Sequence, residues 1–369
     1  MNLEEYFIEV KPQEFQQFLR NLLQNSQNWA VFCSNLQIFM SFFGVFFNIL
    51  HIFILLNKSM RRQATNVLII GIAISDIFYL FYYVEGGTRE FLENGIPGKC
   101  RPKKTEFLAY YIWIVTIFKD VFRRVSAFSG VSLALIRYLV MKYGARTNIR
   151  VYVTTSTSWA LFFSTILFSL VISSINHVRY IVMRYPDWVP PESCKMYPPN
   201  TTLPWFEQVQ NPDLGDFQRQ ISTKFLYIDG VFKIIPPILY PFLAFGLLWE
   251  LKKARDSRKI LMRKGEEHEM VHVTKLVIFM TIGYFLAETP VGISYFYLAY
   301  NMGEDFGIIF LANNITVIFV TFLIINSSIH CFFCFFLSSQ YRLAFWSIFG
   351  CKCASSGSSV SNSRNMSSM

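Results

Sequence analysis

Lys119, Asp120, Arg123 and Arg124 stand together in a stretch otherwise made of Phe, Ile and Val. At helical spacing Lys119 and Arg123 share one face. Asp120 and Arg124 share the next, in the acid-before-base order that favours pairing. Such a cluster can close on itself as an ion-pair network, with Glu288 as a further carboxylate, or it can offer unbalanced positive charge to an acidic or carboxyl-bearing ligand group. A second chemical pattern, His268-Glu269-Met270-Val271-His272, has the H-E-x-x-H spacing of zinc hydrolases. No third ligand motif accompanies it, and with Lys264, Glu266 and Glu267 beside it the stretch reads as a solvated helix extension. Cys331 and Cys334 form C-x-x-C among phenylalanines, where packing is the expected role. His51 and His330 are too isolated to supply the clustered imidazoles of an intramembrane hydrolase. No enzymatic reaction is expected.

The elements that must position these residues are helices in a membrane. Seven stretches are apolar over bilayer length: Trp29 to Leu56, Asn66 to Val84, Phe107 to Met141, Val151 to Ile175, Phe225 to Trp249, Val273 to Leu298 and Ile308 to Leu337. Crossing ~30 Å of hydrocarbon takes about 20 residues, because lipid offers the backbone no hydrogen-bond partner. The expected fold is an all-α membrane protein, a seven-transmembrane helix bundle with a short amphipathic eighth helix. Its parts are an outer N-terminal segment (1–28), the seven-helix domain (29–337), the amphipathic helix with possible acylation sites (338–353) and a disordered inner tail (354–369).

With 53% hydrophobic and 16% charged residues, the chain has no room for a second domain of ordinary size. The net charge of +10 is spread by topology and forms no basic face interleaved with aromatics, so nucleic-acid binding is not expected. Lys and Arg are densest in the loops on the side that holds Lys58, Arg146 and Lys252 to Lys264, which predicts the N-terminus outside and the C-terminus inside. No basic-then-apolar start marks a signal peptide, so the first span is expected to direct insertion.

Cys100 and Cys194 are the cysteines of the predicted outer loops, where oxidising conditions let them pair, the alternative being two free thiols. Asn200-Thr201-Thr202, in the same proline-rich second outer loop as Cys194, is a glycosylation sequon. That loop, Asn176 to Lys224, is long enough to form a lid. Beyond the seventh span, Tyr341, Leu343, Ala344, Phe345, Trp346, Ile348 and Phe349 give an apolar face that would lie on the inner membrane surface. Cys351 and Cys353 follow, placed for acylation as a second anchor to lipid.

Polar residues inside spans are costly and usually face the bundle interior. Here they fall in order: Asn48, Asp76 in Asn66-x-Leu68 to Ala73-x-x-Asp76, Arg137-Tyr138, Trp159, three prolines in span five, Pro290, and Asn326 ahead of His330. With this order the chain resembles the rhodopsin-like G-protein-coupled receptors. In the segments FLAETPVGI, around Glu288 and Pro290, and NSSIHCFFCFFLSSQYR, from Asn326 to Arg342, it resembles the nematode serpentine chemoreceptors of class W, relatives of FMRFamide-type peptide receptors.

The resemblance implies that Asn48, Asp76, Pro290, Asn326 and His330 form the bundle's switch, and that Arg137 and Tyr138 face a heterotrimeric G protein when helix six swings outward. Lys119, Asp120, Arg123 and Glu288 would line the ligand cavity. The expected ligand is a neuropeptide, the alternative an environmental small molecule, and the setting a plasma membrane, in a sensory neuron or cilium. A seven-span ligand-gated channel is the rival class. Asp76, Ser126 and Asn326 match three positions of the family's sodium pocket, so they hold a sodium ion or Asp76 is protonated. The chain also departs from the family. Ile136 stands where an acid usually precedes the arginine, Ser327 replaces a proline, His330 a tyrosine, and Glu288 the aromatic two residues before Pro290. The Cys100 to Arg137 interval is long, so either Cys100 sits in a loop extension or helix three projects beyond the membrane.

Overall fold

The computed structural model describes residues 13–58, 60–143, 153–258, 264–300 and 306–350; the side chains of 13–16, 251, 254–281, 306, 308 and 337 lie outside the described set. The H-E-x-x-H side chains therefore lie outside it, as do Cys351, Cys353 and the tail. Among the described residues seven long helices form one bundle: α1 (Gln13–Leu55), α2 (Ala64–Leu92), α3 (Glu106–Tyr143), α4 (Thr155–His177), α5 (Gly215–Arg258), α6 (Lys264–Tyr300) and α7 (Phe306–Leu337). A short α8 (Ser339–Phe349) follows, and β1 (Tyr180–Trp188) pairs antiparallel with β2 (Leu203–Gln210) between α4 and α5. Among the described residues six helices are long and apolar enough to cross a bilayer, and α6 packs between α5 and α7 to complete the bundle. α3 is central, touching α2, α4 and α5.

α1 shows why such a sequence makes this bundle. Leu19, Leu23, Ser26, Ala30, Cys33, Gln37, Ser41, Gly44, Asn48 and His51 are all buried, at steps of three and four that alternate except for two successive fours through Gln37. That spacing is the seam of a helix packed along its whole length. The opposite stripe, Phe32, Phe39, Phe46 and Phe53, is exposed. Large apolar groups cost nothing against lipid, whereas small and hydrogen-bonding groups let helices approach and satisfy one another. The seam's partner is α7. Asn314 donates to Ser26 (3.0 Å), Gln37 to the Val317 carbonyl (2.9 Å), and Asn48 to the Ser327 carbonyl (3.0 Å). Gly44 is required where α1 crosses, because a Cβ there would strike Ser328 and Leu80. The seam begins well before Trp29, so the helix is longer than its apolar stretch.

The outer loop after α4 is a hairpin. Pro186 falls at the irregularity between Tyr185 and Trp188, where the strand needs no ladder donor. Cys100, in a 3-10 turn (Gly98–Cys100) ahead of α3, is disulfide-bonded to Cys194 with Cα atoms 5.4 Å apart. Both explanations of the long interval to Arg137 hold: Cys100 precedes the helix, and α3 has 38 residues, about 57 Å at 1.5 Å per residue. β2 is strapped to the loop before α3 by the Phe206 amide on the Lys104 carbonyl (2.9 Å) and by Lys104 on Glu207 (2.8 Å). Burial works the other way, but hydrogen bonds from the Lys104 ammonium and the Trp205 indole hold the Glu207 carboxyl below its ordinary value. Asn200 is exposed at φ 61°, in the turn region between the strands.

At the inner end, Ser338 caps α8 by accepting from the Tyr341 amide, and Arg342 donates back to the carbonyls of Phe335 and Phe336, which α7 leaves unpaired. Tyr341 is buried, its hydroxyl 2.7 Å from Nδ1 of His51. Burial pushes its phenol pKa up. Leu343, Trp346 and Phe349 remain exposed as the apolar face of α8.

Candidate functional site

Two polar layers cross the bundle. The outer one is charged. Arg123 makes a two-point contact with Glu288, Nε to Oε1 at 2.9 Å and Nη2 to Oε2 at 2.5 Å, which ties α3 to α6 two residues before Pro290. Tyr284 donates to the same carboxylate (3.2 Å). Arg124 points elsewhere. Its guanidinium meets Asp229 of α5 (2.5 Å), the Ser169 carbonyl (3.3 Å) and the Ser173 hydroxyl of α4. Lys233 bonds the other oxygen of Asp229 and lies over the Tyr295 ring of α6 at 4.1 Å. Lys119 and Asp120 sit 3.6 Å apart, half-buried, with Lys119 over Tyr82 (4.4 Å). His177 accepts from the Trp113 indole (2.9 Å) and turns its other nitrogen toward Asp120 (3.8 Å).

The expected Asp120–Arg124 pair is not formed. Arg124 is buried at 3% side-chain exposure between α3, α4 and α5, and Asp120 faces Lys119 and His177. An arginine enclosed that far needs a carboxylate inside the bundle with it, and Asp229 supplies one. To Lys119, Asp120, Arg123 and Glu288, the residues expected from the sequence, the fold adds Asp229 and Lys233. Their signal was present: an acid four residues before a base inside an otherwise apolar span. Among the described residues of this layer four cations, Lys119, Arg123, Arg124 and Lys233, face three carboxylates, Asp120, Asp229 and Glu288.

The second layer lies deeper. Asp76 is fully buried. Ser126 donates to its Oδ1 (2.8 Å), and Nδ1 of His330 stands 3.0 Å from its Oδ2, a close pairing off the ideal hydrogen-bond line. Nε2 of His330 faces the Asn326 amide (3.4 Å). Tyr240 reaches the Ala127 carbonyl (3.2 Å) through a notch at Gly130 that any Cβ would fill. Ser126, Gly130, Tyr240, Tyr284, Asn326, Ser327 and His330 line a small gap at the bundle's centre. Of the three residues matched to a sodium pocket, Asp76 and Ser126 are in contact. Asn326 instead turns to His330, whose ring edge lies on Asp76 where an ion would need room. The residues present do not fit a bound cation.

At the inner end Arg137 donates to the Thr65 hydroxyl of α2 (3.2 Å), in the absence of an acid at Ile136. Tyr138 packs against Gly246 of α5 and accepts from Lys142 (2.8 Å). α2, α3 and α5 thus meet around the pair expected to face a G protein.

The family described as serpentine type 7TM GPCR chemoreceptor Srw matches residues 35–352. A blue-sensitive opsin of Anolis carolinensis is 26% identical over 281 residues, 73% of this chain and 67% of the opsin.

Proposed function

The chain belongs to the serpentine 7TM chemoreceptor family Srw, a multi-pass plasma-membrane receptor of the G-protein-coupled class, and from that premise we propose that it answers an extracellular peptide with an acidic or carboxyl-bearing group. The observation that carries this reading is the charged layer, with its one surplus cation and its α3–α6 tie through Arg123 and Glu288. A buried excess of positive charge is costly, and an anion arriving from outside relieves it. A ligand carboxylate that shares Lys119 and Arg123 weakens the hold of Arg123 on Glu288. Its binding energy then favours the conformer with α6 swung outward about Pro290, a shift between pre-existing states. Arg137 and Tyr138, with α5 beside them, line the crevice so opened to a heterotrimeric G protein. The chain makes and breaks no bond in this scheme. Asn200 carries a glycan at the turn of the hairpin.

The test is a calcium or cyclic-AMP response in cells expressing the chain with a promiscuous G protein, screened against amidated neuropeptides that carry Asp or Glu side chains and against peptides with a free C-terminal carboxylate. A potent response, lost in Arg137→Ala at equal surface expression and weakened by charge reversal at Arg123, supports the reading. Potency unchanged by Arg123→Glu overturns the charged layer as ligand site. The family's description as chemoreceptors favours a second ligand class, environmental small molecules. Silence to every peptide with a response to small organic acids would select it.

A further inference from the structure

Asp76 has no exposed surface, and the two gaps beside His330 do not open on it. One is lined by Ser126, Gly130, Tyr240, Tyr284, Asn326, Ser327 and His330, with Ile72; the other by His51, Ile69, Ile72, Ala73, Leu133, His330 and Cys334. His330 is in the wall of both. Its ring stands between the open space and the carboxylate, with Nδ1 on Asp76 and Nε2 at the Asn326 amide. An Asn326 amide that donates to Nε2 leaves the ring proton on Nδ1, facing Asp76. Ser126 covers the other oxygen. We propose that His330 takes the place of an inorganic cation: α7 supplies the partner of Asp76 itself, and the receptor is indifferent to sodium.

Two things follow from an internal partner. The pairing of α2 with α7 is independent of extracellular salt, and it ends only when α7 moves. Removing the ring leaves Asp76, Ser126 and Asn326 around a vacated space, with a buried carboxylate held only by the Ser126 hydroxyl, which is the donor set a small monovalent cation takes. The His330→Ala variant should therefore acquire the sodium response that the natural chain lacks.

The experiment measures thermal unfolding of the purified full-length receptor in detergent, in sodium chloride against choline chloride at equal ionic strength. A ligand that binds the folded state raises the melting temperature. The expected result is no difference between salts for the natural chain, and for His330→Ala a lower melting point in choline that sodium raises by several degrees. Asp76→Asn placed on top of His330→Ala should abolish that rise. Should His330→Ala fail to fold, His330→Asn carries the same comparison. A natural chain that sodium stabilises, with the effect lost in Asp76→Asn, overturns the proposal. So does a folded His330 variant that ignores sodium. Neither outcome depends on the peptide ligand.

Discussion

Arg123 and Arg124 are neighbours in sequence, yet they serve different halves of the bundle. Arg123 meets one carboxylate, Glu288, through two hydrogen bonds, and its pair joins α3 to the helix that carries Pro290. Arg124 meets Asp229 and must share it with Lys233, while the Ser169 carbonyl and the Ser173 hydroxyl accept from its Nη2. One link is balanced and lies against the helix that the proposed switch moves. The other carries an excess of charge and spans α3, α4 and α5. Successive residues on a helix point about 100° apart, so two adjacent arginines can address two neighbours at once. The difference teaches that the balanced pair suits a latch, while the unbalanced one supplies the excess positive charge that an anion arriving at Lys119 and Arg123 would offset.

Asp229→Asn should break the comparison most severely, because it strands two buried cations at once. A loss of at least about 3–5 kcal/mol is expected, enough to abolish surface expression as measured by antibody staining of intact cells. Glu288→Gln strands only Arg123, with Tyr284 still able to bond the amide. It should cost about 3 kcal/mol and raise ligand-free cyclic-AMP or calcium signalling relative to surface expression, since the α6 latch is gone. Unchanged basal signalling would show that the pair is structural alone. Lys233→Met removes the surplus and should leave stability within about 1 kcal/mol or improve it. Potency of an acidic agonist should fall, and a potency that holds would place the surplus outside the ligand's reach. Ser173→Ala deletes one hydrogen bond to Arg124 and should cost about 1 kcal/mol, read as a small drop in melting temperature with signalling intact.

Most of the fold was legible in the sequence. Seven apolar stretches, the order of polar marks through them and the two outer cysteines anticipate the bundle and its disulfide. α1 was legible only in part, since hydropathy starts it at Trp29 while the buried residues run on to Leu19 with the same spacing. A hydropathy average misses a seam whose members are Ser26 and Gln37, because such groups gain from α7 what they lose in lipid. Arg123 and Glu288 were legible as charges in apolar surroundings. The partner of Arg124 was not, because spacing along one helix favours Asp120, whereas enclosure among three helices favours Asp229. In α5 the three prolines are the more conspicuous signal beside Asp229 and Lys233, which are two of the three charges of the unbalanced link. His330 was visible as a departure from the family, but its reach to Asp76 depends on how closely α7 approaches α2. The hairpin was hidden by its prolines, one of which falls at the irregularity in the pairing.

The Cys100–Cys194 bond joins positions 94 residues apart and so closes a covalent ring through the whole of α3 and α4. A protease that cuts once anywhere inside that ring leaves a molecule of unchanged mass on a non-reducing gel, and two fragments separate only after thiol treatment. A cut outside it, between α5 and α6, releases fragments at once. Paired gels of nicked receptor, with and without reductant, would thus map which loops a protease can reach on each side of the membrane.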